Sequence, residues 1–162
     1  MISVDTIDTI AEQVSELTAE QIAVKLEEIK GKQPSLFAYL MSDNETYLFS
    51  QAEKELLYYM AFVIWEAISK ERDLPQRLSM KQVDSIQFEN WKTLENYTNP
   101  KGQPLDDFFE PEIGYYEEAE LMYFVCDALE DSEDMPQLIA KDSLLPMFVM
   151  MKSFVDCLII KD

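Results

Sequence analysis

Apolar residues recur at three- and four-residue spacing from the start of this chain. Ile7, Ile10, Ala11, Val14 and Leu17 mark one face of a helix over about residues 4–17. Thr18 with Gln21 reads as a capping box that opens a second helix. Its Ile22, Leu26 and Ile29 point inward, and Gly31 ends it. Pro34 suits the first turn of a short helix, SLFAYLM, and SDNETYLF reads as a loop.

Ser50 with Glu53 forms a second box and opens a helix over residues 51–71. Its run LLYYMAFVIW, Leu56 to Trp65, is apolar on every side, which predicts a central position. After Leu74-Pro75, Ser79 with Gln82 opens a one-sided helix over about residues 80–98. Met80, Val83, Ile86, Trp91, Leu94 and Tyr97 form its apolar face. Gln87 and Asn90 interrupt that face and read as a hydrogen-bonded seam, the alternative being the edge of a contact site.

Residues 99–111 contain three prolines and a glycine, and predict an extended connector. A sixth helix is expected over about residues 112–131 and a weak turn of helix over Gln137–Lys141. A last helix over residues 143–160 carries LLPMFVMMKSFVDCLII, again apolar nearly all round. Pro146 fits only its first turn, and Lys152 and Asp156 are spaced to meet. The pattern therefore predicts an all-α, single-domain bundle spanning residues 1–162. About seven helices surround two central ones, at 51–71 and 143–160.

Composition then narrows the chemistry. Only three glycines occur, which disfavours a hairpin-rich β protein. The chain has no histidine, so Ser-His and Cys-His nucleophile systems and imidazole metal sites cannot be built within it. Cys126 and Cys157 lie in apolar helical runs and read as buried thiols. The N-terminus lacks a basic export signal, and no apolar run approaches the roughly 20 residues of a bilayer crossing. A cytoplasmic location and no membrane association are the expectation.

Charge changes the picture most. Net charge is −19, and residues 102–140 hold twelve acids and no base. Residues 1–24 repeat this more mildly, with five acids and no base. Such a field attracts basic proteins and repels nucleic acid. At about 100° per residue, Glu117, Glu120, Asp127 and Asp131 fall in one stripe, opposite Leu121, Met122, Val125, Ala128 and Leu129. Glu118 falls within the apolar arc, and a place in the first helical turn rationalises its charge. In the connector, Asp106, Asp107, Phe108 and Phe109 set two aromatics among acids. Exposed, these rings are anchors in an acidic rim; buried, they tie the connector to the core.

These features point to a non-catalytic binding protein, an inhibitor, adaptor or immunity-type factor, using residues 106–134 toward a basic partner. No catalytic residue, cofactor or metal ligand is assigned. The alternative is a carboxylate-only Mg²⁺, Mn²⁺ or Ca²⁺ bundle, in catalytic form a hydrolase, drawing Glu66 or Asp156 toward the sixth helix. Against it, DALEDSED lacks the turn glycine and closing glutamate of a calcium loop. Leu121 and Gly31 also stand where a Glu-Glu-x-x-Glu pattern needs its third acid. The methionine-rich last helix reads as core, with a groove for a peptide helix or a homodimer contact as its other use.

Overall fold

The three capping boxes all form. Thr18, Ser50 and Ser79 accept the backbone N–H groups of Gln21, Glu53 and Gln82, whose side chains accept the cap N–H in return. Each box satisfies donors that the first helical turn leaves open, worth about 1 kcal/mol per cap. They open α2 (Ala19–Lys32), α4 (Gln51–Glu71) and α5 (Met80–Leu94). Ser3 caps α1 (Val4–Ser15) by accepting from Thr6, and Pro34 starts α3 (Pro34–Leu40). The computed structural model describes residues 1–42, 46–95, 104–130 and 139–160. Among these, every regular element is helical. No described helix is long and apolar enough to cross a membrane.

The remaining described residues form α6 (Leu105–Phe108), α7 (Glu110–Ile113), α8 (Ala119–Glu130), a 3-10 turn (Lys141–Ser143) and α9 (Leu144–Ile159), with their flanking turns. α4 and α9 occupy the centre, as their all-round apolar character predicts. α9 packs against α3, α4, α5 and α8, and α4 also packs against α1 and α8. One hydrophobic cluster runs through the described helices, with Trp65, Phe148 and Phe154 among its largest members.

Two polar ties hold this cluster in register. The buried carboxylate of Glu53 accepts the Ala140 N–H at 3.0 Å, as well as capping α4, and so pins the turn before α9. Asn90, buried on α5, donates to Ser153 and Asp156 of α9, each at 2.9 Å, and accepts from Lys152 at 3.0 Å. Lys152 pairs with Asp156 at 3.0 Å as the spacing required, and Tyr116 donates to the same carboxylate. Asn90 is thus the predicted hydrogen-bonded seam.

Several expectations need correction. The connector is not extended where it is described: residues 105–113 wind into α6 and α7. Pro104 and Pro111 fall at helix starts, where a missing N–H costs nothing. The helix expected from residue 112 begins at Ala119. Residues 114–118 instead turn so that Tyr116 reaches Asp156 and Glu118 reaches Ile2, long-range contacts that override local propensity. Met80, assigned to the apolar face of α5, is exposed at its first turn. Tyr97 and the first two residues of the expected turn over Gln137–Lys141 lie outside the described residues; of the rest, only Lys141 is helical, opening the 3-10 turn. Ile22 and Leu26 are half-exposed: of α2 only Ile29 is buried.

Candidate interaction surface

The acidic surface is assembled by folding the connector back on α8. Phe109 is 2 % exposed and stacks on Phe148 of α9, ring centroids 3.9 Å apart and planes 5° from parallel. Phe108, half-buried, meets it edge-on at 4.9 Å. Buried rings tether α6 to the core, and α6 packs along α8. At the far end of α8, the Glu130 carboxylate accepts the Leu105 N–H and closes the first turn of α6. At its near end, Tyr123 donates to Glu110 Oε2 at 2.6 Å. Gly114 leaves room for this, since a Cβ there would lie 2.7 Å from Glu110 Oε1.

Asp106, Asp107 and Glu110 from the connector thereby come beside Glu120, Asp127 and Glu130 of α8. Three groups feel their common field. Burial and the charges of Asp106, Asp127 and Asp107 push the Glu130 carboxyl above its usual range, against the pull of the Leu105 N–H. The Tyr123 hydroxyl is pushed up to about 12 by its bond to Glu110, by burial, and by the charges of Glu110, Glu120 and Asp106. Burial raises the Cys126 thiol, and Glu130, Asp106 and Asp127 raise it further. Like charges crowded from two segments disfavour one another's ionisation, and an arriving cation relieves that strain.

Each expected site residue other than Asp131 has a definite place. Asp107 and Asp127 are exposed, and Asp106 and Glu120 half-buried. Phe109 belongs to the core, the buried alternative of the sequence reading, and Phe108 covers its edge. Glu117 is displaced from the stripe, because it precedes α8 and pairs with Arg72 at 2.8 Å. Asp131 lies outside the described residues. Glu118 is 3 % exposed, and its burial is matched by the Ile2 N–H at 3.0 Å and Arg72 at 3.3 Å. It is therefore a structural anchor just before the helix, not a first-turn surface charge. Glu130 and Tyr123 join the surface without having been singled out. Their helical phase, beside Asp127, was the available signal.

The acids considered for metal binding are otherwise engaged. Glu66 pairs with Lys25 at 2.6 Å, and Asp156 belongs to the Lys152, Asn90 and Tyr116 network. Among the described residues, no three acidic or thiol side chains are grouped so as to hold an ion. Cys126 and Cys157 are buried and unbridged. Comparison of the chain with known protein families, curated proteins and solved structures finds no match.

Proposed function

We propose that this protein is a non-catalytic binding protein, an inhibitor, adaptor or immunity-type factor, that engages a basic protein through the face made by α6, α7 and α8. The observation that carries this reading is the gathering of Asp106, Asp107, Glu110, Glu120, Asp127 and Glu130 from two chain segments onto one surface. Residues 102–140 contain no base to neutralise them from within. Arg72 stands at one edge and is taken up by Glu117 and Glu118. A rigid surface of one sign speeds encounter with a cationic partner and sets its orientation. The half-buried Phe108 supplies an apolar edge beside Asp106 and Asp107 for the partner to cover.

The test is capture of partners from a native lysate at about 50 mM and about 500 mM salt, where the screening length shortens several-fold. The wild type is expected to retain a basic protein at low salt and release it at high salt. A variant carrying D106N, D107N, E110Q, E120Q and D127N is expected to retain far less. If nothing is retained, or retention ignores both salt and the five substitutions, the reading is wrong.

A further inference from the structure

α2 packs chiefly on α3 and stands off from α4, so its apolar residues are left without a full partner. The gap is a cavity of about 480 Å³, within the size range of small-molecule sites. Ile22 and Leu26 of α2 form one wall. Tyr58, Tyr59 and Phe62 of α4 form the other, and Val14 and Leu17 close one end. Among the described lining residues Glu55 alone carries charge, and its side chain is exposed at the mouth.

The charges around the cavity select the sign of its guest. Val14, Ser15 and Leu17 at the α1 end bring no charge to the lining. Lys25, beside Leu26, is held by Glu66 at 2.6 Å and does not line the cavity. An anionic guest would meet Glu55 with no described lining cation to hold it. A cationic one meets a carboxylate and the negative faces of aromatic rings. We infer that this cleft binds a small amphiphilic organic cation. Its hydrocarbon body would fill the space between α2 and α4, and its ammonium head would sit at Glu55. The site is separate from the acidic face and does not rest on it, although the Tyr59 ring of its wall also meets Phe124 of α8 (centroids 6.1 Å).

The test is an amide NMR titration of the full chain at pH 7 and low salt with three probes of equal length: n-octylammonium, n-octanol and n-octanoate. Octylammonium is expected to give saturable shifts on α2, the end of α1 and α4. It should bind at least about fivefold tighter than octanol, with octanoate weakest. Glu55→Gln should bring octylammonium down to the octanol affinity and leave octanol unchanged. Leu26→Trp, which fills the cavity from a half-exposed position, should remove the shifts for all three probes; melting curves verify that both variants are folded. Any one of several results would overturn the inference. These are no saturable octylammonium shifts at the cleft, shifts confined to α6–α8, equal affinity for all three probes, or a cation preference that survives Glu55→Gln. Binding by a folded Leu26→Trp variant equal to the wild type would likewise remove the site.

Discussion

Phe109 distinguishes a tether from a surface anchor, and truncating it measures which it is. The ring is 2 % exposed, stacked on Phe148 and capped by the edge of Phe108. A phenylalanine buries about 150 Å² or more, which at about 25 cal/mol per Å² corresponds to about 4 kcal/mol. Alanine loses most of that, and the lost ring pairing adds about 1 kcal/mol. The neighbours relax only partly into the space, so Phe109→Ala should cost about 3–5 kcal/mol. For a chain of this size that lowers Tm by roughly 10 °C. Urea unfolding followed by circular dichroism gives the stability. Hydrogen exchange should show the loss concentrated at Leu105–Ile113, because that segment hangs from the ring. Phe108→Ala, truncating a half-buried ring, should cost less than half as much. A Phe109→Ala variant within about 1 kcal/mol of the wild type would refute the tether and return the ring to the surface.

The remaining predictions concern the polar ties, the thiols and metal ions. Burial works to raise the Glu53 carboxyl, but hydrogen bonds from Ser50, Ser143 and Ala140 outweigh it and hold the group below its ordinary 4.5. A depressed carboxyl contributes stability above the unfolded value and loses it as pH falls through the folded one. The wild-type advantage over Glu53→Gln, about 1–3 kcal/mol in urea at pH 7, should therefore shrink as the pH falls below about 4.5. An advantage that does not change with pH would refute it. Asp156→Asn removes the anion shared by Lys152, Asn90 and Tyr116. It should cost about 1.5–3 kcal/mol, with a coupling to Asn90→Ala visible in a double-mutant cycle. Burial, reinforced by Asp156, pushes the Cys157 thiol up to about 12, and Cys126 is also raised. Neither should react with a thiol reagent at pH 8 until the chain is unfolded, and fast native labelling would refute the burial. Mg²⁺, Mn²⁺ and Ca²⁺ should raise Tm no more than a monovalent salt of equal ionic strength; a specific rise with one of them would favour the carboxylate–metal alternative.

Read alone, the sequence determined the helices whose signals are local. Ser50 and Glu53 sit three residues apart, and the cap they form involves nothing else, so the start of α4 was legible to the residue. The same holds for Thr18 with Gln21, Ser79 with Gln82, and Lys152 with Asp156. Apolar character on all sides likewise placed α4 and α9 at the centre, since no face of either could be left in water. What tertiary structure decided were pairings between distant residues, which no short pattern encodes. Glu118 met Ile2, Phe109 met Phe148, Leu105 met Glu130, and Tyr116 met Asp156. Those contacts shortened α8, curled the connector into α6 and α7, and turned a one-helix stripe into a two-segment acidic face. α2 stands off α4, so that Ile22 and Leu26, apolar at the right spacing, line a cleft instead of filling a core. Helical periodicity states which side of a segment avoids water; only the packed chain states what, if anything, covers it.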